Sequence, residues 1–238
     1  MVTISDVARK ANVSVATVSR VLNNSATVLP ETSRRVLDTI EQLQYEPNLM
    51  ARNLRKNESR VILILAPNIT NPYYSTILSG IGVSARQMGY SFMVCTTEGE
   101  SEQEIEYLDM LQKRRADGAI LLALSKDETA LARYASKYPI VQCCEFQPGT
   151  QIPHVAVDNY AAARRMTEYL LAGGHRRIAM VSSVNDYPST RLRLRGYRDA
   201  LCAAGITPDD ALLRYGSYDY SYASGLAAAA SLLQVTDR

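Results

Sequence analysis

The side chains best arranged for recognition chemistry lie in one short stretch, Ser14-Val15-Ala16-Thr17-Val18-Ser19-Arg20. Ser14 can act as an N-cap, its oxygen accepting a backbone N–H of the first turn. Val18, Val21 and Leu22 then fall on one helical face at i, i+3 and i+4. The opposite face carries Ala16, Ser19 and Arg20. A helix with small side chains in front and one long cation behind suits contact with something flat and anionic. Other chemistry is poorly represented. Gly80-Ile81-Gly82-Val83-Ser84-Ala85 fits the G-x-G-x-x-G/A string, but it falls mid-helix, past the strand end where a dinucleotide fold needs its turn. Its glycines read as helix-packing positions. No P-loop string occurs. His154 and His175 flank strands without a paired nucleophile, and Gly-Gly-His-Arg-Arg around His175 reads as a helix exit. Glu98, Glu100, Glu102, Glu104 and Glu106 alternate along a loop and helix start. They read as a solvated charge run favoured by a helix N-terminus, not as a metal site. No catalytic residue, metal or cofactor is expected, and hence no enzyme.

The elements around the recognition stretch follow from local pattern. Thr3 can cap a first helix with Asp6 as a capping-box acid three residues on. Ile4, Val7, Ala8 and Ala11 form its apolar stripe. Asn12-Val13 breaks that helix and Ser14 starts the next. Two short helices joined by a tight turn make either an ordinary helical hairpin or a helix-turn-helix, whose second helix enters the major groove of DNA. Pro30-Glu31 opens a third helix, Pro being suited to a first turn. Val36, Ile40 and Leu43 close a three-helix core, and Tyr45-Glu46-Pro47 ends it. Residues 48–56 hold helix formers in a run too short to be stable alone. They are either a solvated linker or a segment that folds on DNA and wedges an apolar side chain between base steps in the minor groove.

Charge agrees with a small nucleic-acid module on a neutral body. Residues 1–60 hold nine Lys and Arg against six Asp and Glu, while the remainder holds seventeen against eighteen. The excess sits in Arg52, Arg55, Lys56 and Arg60 against Glu58, a local basic patch. Cys95, Cys143 and Cys144 lie in apolar runs, where cysteine behaves as a small hydrophobe. The fourth is Cys202, and no C-x-x-C suggests zinc or a disulfide framework. With no signal peptide and no apolar run of ~18 residues, a cytoplasmic, nucleoid-associated protein is expected.

From residue 61 the pattern changes. Val61–Ala66 is a continuous apolar run, as in a strand buried on both faces. Strands are predicted at 91–95, 119–124, 140–144, 155–157, 178–181 and 212–215. Helices alternate with them at 72–88, 101–114, 128–138, 161–171, 191–204 and 222–233. Such alternation means doubly wound parallel sheets, and the break at about 145–158 suggests two subdomains with a cleft between them.

Thr3-Ile4-Ser5-Asp6-Val7-Ala8 and Ala11 through Asn23 closely resemble the headpiece of the lactose/galactose repressor family. Val36 to Asn48 and Ala51-Arg52-Asn53-Leu54-Arg55 continue the match in order. The resemblance implies an all-α helix-turn-helix headpiece joined to an α/β body of doubly wound parallel sheets, like the periplasmic binding proteins. Its boundaries would be 1–47 for the headpiece, 48–60 for a hinge helix and linker, and 61–157 and 158–238 for the two subdomains, the second incomplete. By position, Val15, Ala16 and Arg20 would read base edges, and Thr3, Ser14, Thr17, Asn23 and Tyr45 would meet phosphates. Ala51, Leu54 and Arg55 would occupy the minor groove, with Leu54 inserted at the central step. Arg20 suits a guanine O6/N7 pair, and Val15 and Ala16 a thymine methyl. The partners implied are double-stranded operator DNA, a second copy of the chain and a small-molecule effector.

The likeness narrows to the cytidine repressor subgroup. It rests on Asn71-Pro72-Tyr73-Tyr74-Ser75, Val157-Asp158-Asn159, Asn185-Asp186-Tyr187-Pro188 and Arg193-Leu194-Arg195-Gly196-Tyr197. It implies effector contacts from Tyr73, Tyr74, Glu145, Asp158, Tyr187, Ser189, Arg193 and Tyr218. Tyr187 stands where the purine repressor subgroup has a second cleft arginine, which favours a nucleoside such as cytidine over a purine base. Family members run on past Arg238, through a segment that completes the second subdomain and much of the dimer interface. The expected function is sequence-specific repression from a pseudo-palindromic operator. The alternative is a small-molecule binding module whose shortened chain has lost regulated operator binding.

Overall fold

The computed structural model describes residues 2–23, 27–45, 58–123, 127–218 and 220–235. Two compact units divide the chain, Met1–Glu58 and Ser59–Arg238.

Among the described residues the first unit has three helices, α1 (Ile4–Lys10), α2 (Val15–Leu22) and α3 (Pro30–Leu43). Thr3 caps α1 in a full capping box: its Oγ1 accepts the Asp6 N–H, and its own N–H donates to Asp6 Oδ2 at 3.0 Å. Asn12 ends α1 in the left-handed region at φ 52°. That conformation lets Val13 N–H reach back to the Ala8 carbonyl at 3.0 Å, a Schellman closure in which Asn tolerates the positive φ. Ser14 then caps α2, its Oγ accepting Thr17 N–H at 3.1 Å. The same closure ends α3, with Gln44 at φ 47° and Tyr45 N–H on the Ile40 carbonyl. The helix therefore stops at Leu43 before Pro47 is reached. Val7, Ala8, Ala11, Val18, Val21 and Val36 form the core, with Ile40 and Leu43 packed against it. Replacing Ser14 with alanine removes one cap and is expected to cost about 1 kcal/mol of headpiece stability. A lower unfolding midpoint, followed by far-ultraviolet circular dichroism, measures it.

The second unit opens where the Asp117 carboxylate accepts Ser59 N–H at 2.6 Å, Ser59 Oγ–H at 2.8 Å and Arg60 N–H at 2.9 Å. These bonds start β1 (Val61–Ala66), whose side chains alternate between two cores. Leu63 and Leu65 face Leu108, Leu111 and Leu131, while Ile64 and Ala66 face Ile77, Leu78 and Ile81. All pairings are parallel, in the order β2 (Ser91–Thr96), β1, β3 (Gly118–Leu121), β4 (Ile140–Cys143), β5 (His154–Val155). Helices α4 (Pro72–Gln87), α5 (Ser101–Gln112) and α6 (Glu128–Ala135) alternate with the first four strands. A second sheet pairs β6 (Met180–Ser183) with β7 (Leu213–Gly216), again parallel. Around it lie α7 (Asn159–Ala172), α8 (Pro188–Ala203) and α9 (Tyr222–Leu233).

Several elements depart from the sequence reading. The strand expected from Ile178 starts at Met180, because its partner begins only at Leu213 and the Ile178 carbonyl accepts the Tyr197 hydroxyl at 2.8 Å. The helix expected from Arg191 starts at Pro188. His154 lies within β5, which stops at Val155 and leaves Val157 beyond the sheet. Of the two glycines read as packing positions in α4, Gly82 is one: a Cβ there would lie 2.9 Å from Phe92. Gly80 faces open space. Glu104 is buried, unlike a solvated charge, because the first turn of α5 carries it inward.

Candidate functional site

Burial of Val18 and Val21 turns the other side of α2 outward. Val15, Ala16 and Arg20 are all exposed on that helix, which carries no acidic residue. Among the described residues no ion pair holds Arg20, so its guanidinium can meet an external acceptor. Ser14 and Thr17 share a 2.9 Å hydroxyl contact at the helix start, beside the first-turn amides that favour phosphate oxygens. Thr3 is exposed, but its hydroxyl also donates to Asp6 at 2.7 Å. Asn23 donates to the Ser19 carbonyl at 2.7 Å and closes the far end of α2. Tyr45 differs from the other phosphate candidates: its ring belongs to the core at 9% exposure, leaving little of it for DNA. Ala51, Leu54 and Arg55 lie outside the described residues.

In the second unit, chain segments far apart in sequence converge on a tyrosine-walled cleft. Asn71 caps α4 by accepting the Tyr73 N–H at 3.0 Å, and Pro72 occupies the first turn. Tyr73 and Tyr74 therefore stand at the helix start, edge to face with centroids 5.6 Å apart. Opposite them, Tyr187 and Tyr218 join hydroxyl to hydroxyl at 2.6 Å, their rings also edge to face at 5.4 Å. An open space of about 420 Å³ is lined by Pro67, Asn68, Tyr74, Glu98, Gly99, Tyr187, Tyr218 and Tyr220. Burial, and then a hydrogen bond with Cys144, pushes the Tyr73 phenol up to about 12. Burial also raises Tyr74 and Tyr187. All three are uncharged at neutral pH and offer a neutral ring face with a polar tip.

Glu145 joins the two halves of the unit. It follows β4, yet its carboxylate accepts Ser189 N–H at 3.3 Å and the Ser189 hydroxyl in a short hydrogen bond. Ser189 lies in the first turn of α8, a helix whose own N-cap, Tyr187, makes no side-chain cap bond. The acid thus caps the helix from another segment, where the helix dipole favours negative charge. Both side chains are buried. One turn on, Arg193 Nε donates to Asn159 Oδ1 at 2.7 Å. Asp158 differs in placement: it is exposed and caps α7 by accepting Ala161 N–H at 2.9 Å, reaching the cluster only through its neighbour Asn159.

The sequence reading missed the residues that stiffen this wall. Asn185 donates to Ser183 Oγ at 2.9 Å and to the Tyr218 carbonyl at 3.0 Å, and accepts the Thr190 hydroxyl at 2.6 Å. Thr190 also bonds Tyr220 in a short contact. Asn185 stands in the Asn-Asp-Tyr-Pro string, where an amide before a proline-started helix was a usable signal. Nothing local distinguished Glu98, which lines the cleft at φ 50°, from its acidic neighbours. Among the described residues no cluster of His, Cys, Asp and Glu could hold a metal ion.

Desolvation raises the Glu145 pKa above its ordinary 4.5, outweighing the Ser189 hydrogen bonds that lower it. The folded state therefore holds this proton to higher pH than the unfolded chain does. Stability from this group is fully present below the unfolded value and declines as pH rises towards the folded one. Glu145→Gln is expected to flatten the pH dependence of unfolding just above the usual carboxylate range. Identical slopes for the two proteins in a pH series of denaturant melts would contradict the assignment.

A three-helix headpiece with an outward second helix, carried with a parallel α/β unit of the periplasmic-binding-protein type, defines a class of two-part regulators. The match to known proteins is specific. The family described as bacterial regulatory proteins, lacI family, matches residues 3–48. The family described as periplasmic binding proteins and sugar binding domain of LacI family matches residues 59–234. This chain belongs to the LacI family. It is 35% identical over 234 residues to the HTH-type transcriptional repressor CytR of Escherichia coli (strain K12), covering 98% of this chain and 68% of that protein. It is 33% identical over 239 residues to catabolite control protein A of Priestia megaterium, covering 100% of this chain and 71% of that one. Among solved structures, the lac repressor dimer bound to operator and the anti-inducer ONPF superposes with a TM-score of 0.84 at 28% identity, over 98% of this chain and 70% of that one. The transcriptional regulator CelR–cellobiose complex gives 0.64 at 31% identity, over 98% and 70%. No described helix is long and apolar enough to cross a membrane.

Proposed function

We propose that the chain is a sequence-specific transcriptional repressor that binds a pseudo-palindromic operator as a dimer and responds to a nucleoside in the tyrosine-walled cleft. The observation that carries the DNA reading is the α2 face itself. Three residues at base-reading positions are exposed together, and the Ser14 cap holds the helix end that presents them. Val15 and Ala16 supply apolar contact and Arg20 the bidentate donor, while Ser14, Thr17, Thr3 and Asn23 set register on phosphates. Ala51, Leu54 and Arg55 complete the site in the minor groove. One half-site per headpiece makes the dimer and the operator symmetry two aspects of the same geometry.

The effector reading is supported by the cleft's chemistry. Neutral phenol rings suit a planar base, a buried carboxylate and serine suit ribose hydroxyls, and Arg193, oriented through Nε by Asn159, can grip an acceptor. The resemblance of the cleft strings to the cytidine repressor subgroup favours cytidine, and the relative with 35% identity is the HTH-type transcriptional repressor CytR. Because Glu145 spans the unit, a ligand that displaces or tightens its bond to Ser189 changes the balance between lobe arrangements. A coupling of about 1–3 kcal/mol between effector and operator is the ordinary range for such a device.

Selection from random duplexes tests the proposal, with and without cytidine, at ~150 mM salt where non-specific phosphate contacts are weak. Sedimentation of the same sample reports the dimer. Recovery of a palindromic site whose enrichment changes with cytidine is expected. No enrichment over random DNA would overturn the operator reading, and enrichment indifferent to cytidine would overturn the effector alone.

A further inference from the structure

Cys143 and Cys144 play no part in the proposed reading, yet they occupy its most sensitive spot. Their sulfurs lie 3.8 Å apart, and both side chains are half-buried with access to solvent. Cys144 holds the left-handed region at φ 73°, a conformation that a β-substituted residue keeps only when its surroundings over-determine it. Its thiol acts on the Tyr73 phenol at the cleft, and the next residue, Glu145, holds the start of α8. Cys143 packs against the core of Ile64, Ala66 and Leu122. We propose that Cys143 and Cys144 form a reversibly oxidisable dithiol in the cleft, with Cys143 as the sulfur that attacks a hydroperoxide and Cys144 as the resolving thiol.

The division of roles follows from the pair itself. The Cys144 thiol, donating towards its neighbour, lowers Cys143 to about 7, so a large share is thiolate at neutral pH. The donor is raised in turn and keeps its proton. A thiolate of low pKa, open to solvent and next to a resolving thiol, is the arrangement expected of a redox-responsive cysteine. In the first step the Cys143 thiolate attacks one peroxide oxygen and the O–O bond breaks. Two electrons pass from sulfur to oxygen, and hydroxide leaves, giving a sulfenic acid. In the second, the Cys144 sulfur attacks the sulfenic sulfur, the S–O bond breaks, and oxygen departs as water with the thiol proton. The disulfide must span Cα atoms about 3.8 Å apart across a trans peptide, below the usual range for such bonds. A linkage so constrained is readily reduced, which suits a transient state over a structural one. Closing the sulfurs from 3.8 Å to about 2.0 Å withdraws Cys144 from Tyr73 and shifts the backbone that carries Glu145.

The test is to treat the reduced, full-length protein with hydrogen peroxide, block free thiols with N-ethylmaleimide, and digest with trypsin. Peptide 138–164 is expected to carry both cysteines unalkylated and two hydrogens lighter, with dithiothreitol restoring alkylation, while Cys95 and Cys202 remain alkylated. The chain has no tryptophan, so intrinsic fluorescence comes from tyrosine, and oxidation should shift it as Tyr73 loses its partner. In Cys144→Ser, dimedone should trap a sulfenic acid on Cys143 and not on Cys95 or Cys202; in Cys143→Ser, oxidation of Cys144 should be slow. Retention of all four free thiols, or a disulfide elsewhere or between chains, would overturn the proposal. The wild-type mass result decides it even where a serine variant does not fold. No effector or DNA enters the experiment, so its outcome is independent of the operator and effector readings.

Discussion

Alanine at Gly196 is expected to cost about 3 kcal/mol or more of stability. A Cβ at this position would lie 2.3 Å from the Tyr160 carbonyl oxygen and 3.0 Å from the Arg164 amide nitrogen. Both are backbone atoms of α7, so no rotamer change can relieve the contact. Overpacking with flexible neighbours typically costs about 1–3 kcal/mol, and a backbone-on-backbone clash lies at or beyond the top of that range. The helices must separate, and their separation opens the cluster of Ile178, Tyr197 and Leu201 beneath them. It also moves Ser189 and Arg193, which ride on the same helix. Gly225→Ala is the control, since nothing lies within 4 Å of a Cβ there and alanine favours the helix. Denaturant midpoints measure both variants. Equal midpoints for Gly196→Ala and the parent would show that α7 and α8 do not meet as described.

Arg20→Ala is expected to remove base preference at one position of each half-site. A good bidentate pair to guanine discriminates by about 1–3 kcal/mol, and the proposed dimer would lose two of them. Specific affinity should therefore fall by about 2–6 kcal/mol on the selected operator while random-sequence affinity falls far less. The removed charge reads out separately: losing one phosphate contact would lower all affinities alike and reduce the salt slope by about one per headpiece. Competition gel shifts with operators varied at each position distinguish the two. A uniform loss across all sequences would rule out direct readout by Arg20, and Ala16 and Val15 would then carry what base contact the helix makes.

Much of the headpiece was legible because its determinants are local. Thr3 with Asp6, Ser14 with Thr17, and Pro30 in a first turn each lie within three or four residues of what they stabilise. The end of α3 was less legible, because Gln44, a residue without glycine's freedom, takes a positive φ there. In the second unit, the run Val61–Ala66 announced a strand buried on both faces, and the alternation of strands and helices announced a parallel sheet. The start of α8 was not legible from its own stretch. Its capping acceptor is Glu145, 44 residues earlier, so no window on the helix could contain it.

The candidate site divides along the same line. The amino-acid sequence alone was enough to say which face of α2 must be buried, since 3.6-residue periodicity leaves Ala16, Ser19 and Arg20 on the other side. It also placed Tyr73 and Tyr74 at a helix start, next to Pro72. Only tertiary structure decided that Tyr187 meets Tyr218, that Asn185 ties two turns together, and that Tyr45 is core more than contact surface. Only tertiary structure set Cys144 against Tyr73, and Glu145 against the first turn of α8. Those pairings depend on how strands are ordered in a sheet and how closely two helices approach at Gly196. Such distances are fixed by packing between segments remote in the chain, which local propensity does not encode.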